Sequence, residues 1–211
     1  MFCFYGVVCG HDLGFQTLRG AAERKENMIY IGYDNEGYMN NGLPRSSGTP
    51  YGAATSTTPA GSVSQGKTTA KKDLPAIMSM HDIPYVATAT MSHLEDYAKK
   101  LEKAKEKVKV GFVYLHVFCP CLVGWKIPMD ASIQVCRAAV RTNYFSLWEC
   151  ENGEYRITQK VNKPKPIQEF TSGMGKFKHL TDDNLQVLQT MVDKRQRTIQ
   201  ALCNGTEQQA A

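Results

Sequence analysis

Three short apolar runs constrain this chain more than any other feature: Met28–Tyr33, Pro84–Ala89 and Gly111–Phe118. Each is strand length, rich in β-branched and aromatic residues, and lacks the alternation of a sheet with one wet face. Helical patterns separate them. Gly14–Asn27 carries Phe15, Leu18, Ala21 and Ala22 at helical spacing. Asp73–His81 reads as a helix with Pro75 in its first turn. Ser92 opens another, with Glu95 as its capping-box partner and Leu94, Tyr97, Leu101 and Ala104 as its apolar face. Such alternation predicts an α/β fold, a mostly parallel sheet flanked by helices.

The remaining elements follow from local patterns. The apolar start, Met1–Cys9, reads as a strand. Asp130 is the expected cap of a helix carrying Ile133, Cys136 and Val140 on one side. Ser146–Cys150 and Glu154–Gln159 form a hairpin turning at Asn152-Gly153. A last helix spans Thr181 to about Ala201, with Leu185, Leu188, Val192 and Ile199 on one face. Between the first strand–helix unit and the rest lies a stretch, residues 35–72, rich in Gly, Ser, Thr and Pro. Loops this long inside a compact domain are usually functional or disordered, and this one, carrying Tyr38, Met39, Leu43 and Tyr51 with few charges before Lys67, reads as an ordered functional loop.

Composition narrows the functional classes. Apolar residues make up 42% and charged residues 21%, ordinary for a globular domain. The net charge of +5 owes much to lysines between Lys71 and Lys109, read as a solvated helix face. Lys99–Lys109 has no interleaved aromatic residue, which argues against nucleic acid. No segment approaches the roughly 20 apolar residues of a membrane span. Seven unevenly spaced cysteines suit a reducing compartment, hence the cytoplasm.

In parallel sheets ligands bind beyond the carboxyl ends of the strands. The loops after Tyr33 and after Phe118 leave on that edge, so chemistry is expected where they meet. The first opens Asp34-Asn35-Glu36, an acid, an amide and an acid. A hard cation such as Mg²⁺ takes a few oxygen ligands plus a phosphate, and Asn35 and the Gly37 carbonyl could supply oxygens. The same residues also suit a plain turn. The second loop opens Cys119-Pro120-Cys121, either a metal half-site or two buried thiols. Cys136 reads as core. His81, His93, His116 and His179 are scattered, and none is expected to be catalytic.

The longer pattern adds to this. Residues 33–53 read YDNEGYMNNGLPRSSGTPYGA. This resembles the beta subunit of 2-oxoacid:ferredoxin oxidoreductases, whose pattern is close to YDNE-x-YMNTG-x-QRS-x-x-TP-x-GA. Further matches are Asp12–Gln16, Lys72–Ile77, Ile83–Thr88, Cys119–Cys121 with Gly124-Trp125, and Phe177–Leu180, so the resemblance covers most of residues 10–182. Asn41 and Pro44 stand where Thr and Gln are usual.

The resemblance implies a thiamine-diphosphate-binding α/β domain over residues 1–160, incomplete at its N-terminus, and a C-terminal arm and helix over 161–211. It implies oxidative decarboxylation of a 2-oxoacid, pyruvate first, with coenzyme A, giving acyl-CoA, CO₂ and reduced ferredoxin. The implied partners are the alpha subunit, other subunits of the complex, and ferredoxin. The implied cofactors are thiamine diphosphate, Mg²⁺ and a 4Fe–4S cluster. Asn35 and the Gly37 carbonyl fall where the family binds Mg²⁺. Asn40 falls near the reacting end of the cofactor, with Asn41 beside it, and Cys121 takes the position of one cluster thiolate.

One family element does not match. Gly-Asp-Gly, whose Asp is a metal ligand, would fall on Gly6-Val7-Val8, and valine cannot ligate Mg²⁺. That, with the family's remaining cluster cysteines lying well before the cofactor motif, leads to the expectation of an N-terminally truncated subunit. The alternative is a cofactor-free remnant that only docks on a partner.

Overall fold

The structure, a computed structural model, describes residues 2–6 and 8–209. Six strands form one mixed sheet: β1 (Phe2–Gly6), β2 (Ile29–Asp34), β3 (Tyr85–Thr90), β4 (Val113–Phe118), β5 (Trp148–Glu151) and β6 (Glu154–Ile157). Their spatial order is β1-β2-β4-β3-β5-β6. The first four in that order pair in parallel, and β5 and β6 add an antiparallel edge. The helices are α1 (Phe15–Glu23), α2 (Leu74–Ser79), α3 (Leu94–Lys107), α4 (Leu122–Trp125), α5 (Ser132–Arg141), α6 (Gln168–Thr171) and α7 (Asp182–Gln209). The expected α/β architecture is therefore present.

The apolar runs lack alternation because both sheet faces are covered. Tyr30, Val86 and Tyr114 point to one face, packing with Leu18 and Ala22 of α1 and with Leu74 and Met78 of α2. Ile29, Ile31, Tyr85, Ala87, Val113 and Leu115 point to the other, against Ala104, Leu101 and Tyr97 of α3. This odd–even split is the period of two that a pleated strand imposes. A third cluster caps the carboxyl edge, where Phe118 and Trp125 meet Tyr144, Phe145, Phe170 and the α7 residues Leu188 and Val192.

The hairpin turns at Asn152 and Gly153, with φ of 51° and 86°, the left-handed pair that matches strand twist. Two helix starts differ from expectation. His93, not Ser92, precedes α3, and the Ser92 hydroxyl pairs with the His93 ring instead of forming a capping box. Asp130 lies inside a 3₁₀ turn (Met129–Ala131), so α5 begins at Ser132 without a side-chain cap. Leu94, placed on the apolar face by its spacing, is 67% exposed, because the sheet is met only from Tyr97 onward.

The lysine run is not uniformly solvated either. Lys100 is only 1% exposed, and its Nζ donates to Asp96 Oδ2 at 2.6 Å, Thr88 O at 2.8 Å and Thr158 Oγ1 at 2.8 Å. Lys71 is buried as well. A buried ammonium with three acceptors is satisfied; removing it strands Asp96. We expect Lys100→Met to destabilise the fold by about 3 kcal/mol, the order seen when one partner of a buried pair is lost. The exposed Lys105→Met should change it by less than about 0.5 kcal/mol. Urea titration checks this, and equal midpoints for the two variants would contradict it.

Glu149 on β5 tests the same physics by pH. Burial pushes its carboxyl up, but donors from Lys103, Tyr85 and Arg156 outweigh that and hold it at about 2, against an ordinary 4.5. A depressed carboxylate stabilises fully above the unfolded value and ceases to as pH falls through the folded one. Thermal melts between pH 4.5 and about 2 should therefore fall more steeply for the native chain than for Glu149→Gln. Parallel curves would contradict this.

Candidate functional site

Register builds the site. Asp34 pairs with Phe118, and Phe118 with Thr90, so β2, β4 and β3 end level. The loops after β2 and β4 leave side by side, as expected, and are tied together. Cys119 N donates to Asp34 O at 3.1 Å. Trp125 Nε1 donates to Asn35 O at 2.8 Å. Met39 lies flat on Gly124, where an added Cβ would sit 2.2 Å from its sulfur, so only glycine permits that contact.

At this edge lies a chain of buried charges. Asp34 Oδ1 accepts from Glu36 N at 3.0 Å, and Oδ2 faces Lys71 Nζ at 2.5 Å and His116 Nε2 at 3.0 Å. Lys71 Nζ reaches Glu36 Oε1 at 2.8 Å. Glu36 also accepts from the Tyr144 hydroxyl and the Lys176 ammonium. Lys176 Nζ stands 3.6 Å over the Trp125 ring. Two carboxylates and two ammoniums thus sum to no net charge, the condition under which ions tolerate burial. Burial pushes Asp34 and Glu36 up, but Lys71 and His116 on the first, and Lys176 and Lys71 on the second, hold both below the usual carboxylate range. Burial lowers Lys176 to about 8, since Glu36 is its one close anion, whereas Lys71, with two, is raised against the same burial.

Beside Glu36 and Lys176 opens a cavity of ≈ 510 Å³, lined also by Gly37, Met39, Lys126 and His179. Gly37 borders it, and a Cβ there would meet Met39 Cε at 3.0 Å. Asn35 is half-buried, and its Oδ1 is buried with no hydrogen-bond partner. Asn40 and Asn41 lie exposed in a turn in which Asn41 N donates to Tyr38 O at 3.3 Å. Neither they nor Asn35 line the cavity. Cys121 is half-buried, and its sulfur accepts from Gly124 N at 3.4 Å. Burial pushes the Cys119 thiol up to about 12, which disfavours a thiolate there. Val7, aligned with the family's metal-binding Asp, lies outside the described residues.

The residues present fit Mg²⁺ and a diphosphate in one respect. An orphaned amide oxygen on Asn35 beside a glycine is an oxygen donor awaiting a cation. Asp34 and Glu36 are already engaged by lysines. A 4Fe–4S cluster is a poorer fit to this chain by itself. Among the described residues, the one grouping of three metal-competent side chains contains no cysteine. Sequence reading missed His11, His116, Lys71, Lys176 and Tyr144. His116 alone carried a signal, as the one histidine inside the otherwise apolar, fully buried run of β4.

The thiamine pyrophosphate enzyme C-terminal TPP binding domain matches residues 2–117. The chain is 46% identical to pyruvate synthase subunit PorB of Methanocaldococcus jannaschii over 87% of its length and 61% of that protein. It is 45% identical to ketoisovalerate oxidoreductase subunit VorB of Pyrococcus horikoshii over 86% of its length and 58% of that protein. It is also 45% identical to the NADH-dependent phenylglyoxylate dehydrogenase subunit beta of Aromatoleum evansii over 90% of its length and 43% of that protein. It thus spans 43% to 61% of these relatives. The matched stretch includes Asn35 and Gly37, and the chain belongs to the thiamine pyrophosphate enzyme family, with subunits of 2-oxoacid oxidoreductases among its relatives.

Proposed function

We propose that this chain binds thiamine diphosphate through Mg²⁺ as part of a beta subunit that oxidatively decarboxylates a 2-oxoacid. The observation that carries this is the orphaned Oδ1 of Asn35 at the carboxyl end of β2. Asn35 Oδ1 and the Gly37 carbonyl would hold the metal, and the metal the diphosphate. Asn40 and Asn41 would approach the cofactor from the turn that follows. When bound, the cofactor supplies the electron sink for loss of CO₂.

The protein's own residues prepare that edge. The Lys71–Asp34 pair fixes the end of β2, and Trp125 fixes the Asn35 carbonyl, so the amide is held in place before a cation arrives. Lys126 and Lys178, both exposed, bring positive charge to the cavity wall, which favours an anionic ligand. The acceptor side of the reaction is read as coenzyme A and ferredoxin, and the substrate as pyruvate or a close 2-oxoacid. An alpha subunit completes the pocket. Cys121 would give one thiolate to a 4Fe–4S cluster, its sulfur tuned by the Gly124 amide. Among the described residues no helix is long and apolar enough to cross a membrane. Cys3, Cys119, Cys121, Cys136 and Cys150 form no disulfide, which supports a reducing compartment, the cytoplasm.

Calorimetry with thiamine diphosphate tests the reading. We expect Mg²⁺-dependent heat from the native chain and at least tenfold weaker binding by Asn35→Ala, about 1.4 kcal/mol. Equal affinity in the two would remove Asn35 from the metal's ligands. In the assembled complex, Cys121→Ser should lower iron content and ferredoxin reduction together, and full iron content would contradict its assigned role.

A further inference from the structure

We propose that His11, His116 and Asp34 form a second metal site, separate from the oxygen site at Asn35, for a divalent ion that prefers imidazole, zinc first.

His11 is 2% exposed, yet neither ring nitrogen has a hydrogen-bond partner. A buried polar group left unpaired is costly, and a bound ion is one thing that offsets that cost. Its ring meets that of His116 edge-on, with centroids 5.5 Å apart and the planes at 61°. One ligand atom from each of His11, Asp34 and His116 lies within 4.8 Å of the others, and Asp34 Oδ2 is 3.0 Å from His116 Nε2. Three elements converge here: a π-helical turn (Val8–Asp12), the end of β2 and the middle of β4. Such π turns recur at functional sites.

Two imidazoles and a carboxylate suit zinc and its neighbours better than Mg²⁺. The surroundings supply the orienting bonds such sites use. The Tyr114 hydroxyl lies 2.7 Å from His116 Nδ1; with the imidazole proton on Nδ1 and donated to that hydroxyl, Nε2, now paired with Asp34 Oδ2, would turn its lone pair to the ion. The His11 carbonyl accepts from Lys72 Nζ, and from Ser47 Oγ at 3.0 Å, which pins the π turn. Lys71 is the competitor, since it already holds Asp34. It keeps Glu36 Oε1, 2.8 Å away, when the ion takes a lone pair of Asp34. The ion also adds charge to a set that otherwise sums to zero. Strong bonds to nitrogen can offset that; Mg²⁺, which gains little from imidazole, cannot. The ion would tie the π turn to the sheet edge that presents Asn35.

Titration of the metal-free chain with Co²⁺ should give visible d–d bands saturating at one equivalent, retained in Asn35→Ala and lost in His11→Phe. Phenylalanine fills the histidine's buried space, and circular dichroism reports whether that variant is folded. X-ray absorption on the Zn²⁺-loaded native chain needs no variant and should show two imidazoles with oxygen. A sulfur shell, which would point to Cys119 or Cys121, an all-oxygen shell, or Co²⁺ bands unchanged in folded His11→Phe would overturn the proposal.

Discussion

The contact between Lys71 and the carboxylates of Asp34 and Glu36 governs the carboxyl edge of this sheet. All three side chains are buried, and none would tolerate burial without the others. Their pairing fixes where β2 ends and how the chain turns into the loop that follows. Glu36 sits at φ 67°, a left-handed conformation that costs a non-glycine residue energy. Its backbone NH on Asp34, its carboxylate on two lysines and a tyrosine, and its carbonyl on Thr49 offset that cost. The consequence is that Asn35, between the two acids, is presented with its amide oxygen unspent.

From there the geometry propagates through neighbours rather than along the chain. Lys176 is 140 residues from Glu36 and Tyr144 is 108, yet both close on the same carboxylate. The aromatic cluster around Phe118 gives this ion set its low-dielectric floor, with Phe118 and Phe145 stacked at 4.8 Å and Tyr144 on Phe170 at 4.1 Å. Met39 against Gly124 and Trp125 under Asn35 then bind the first loop to the one carrying Cys121. A site for a charged cofactor needs donors held rigidly before the ligand arrives, and this packing supplies that rigidity.

Much of the fold was legible in the sequence because it rests on local rules. The strands announced themselves as apolar runs, and the hairpin by Asn152-Gly153. The edge on which chemistry lies followed from strand direction alone. What was not legible depends on partners distant in sequence. Lys100 looks like any surface lysine until Thr88 and Thr158 meet it in space. Ser92 and Asp130 have the chemistry of caps, but the chain enters each helix one or two residues later, where packing on the sheet begins. Asp34 and Glu36 flank the expected metal ligand Asn35 in sequence, and only the fold shows that lysines have claimed both acids. His11 carried no pattern at all; its importance is its isolation inside the protein.

Asn35 is, on this reading, the cation ligand that the ion set around it prepares. Diffraction from crystals grown with Mn²⁺ and thiamine diphosphate tests this most directly, since manganese replaces Mg²⁺ and scatters anomalously. The predicted result is an anomalous peak bonded to Asn35 Oδ1 and the Gly37 carbonyl, with Asp34 and Glu36 still on their lysines. A peak on Asp34 or Glu36 with Asn35 left unbonded would contradict it.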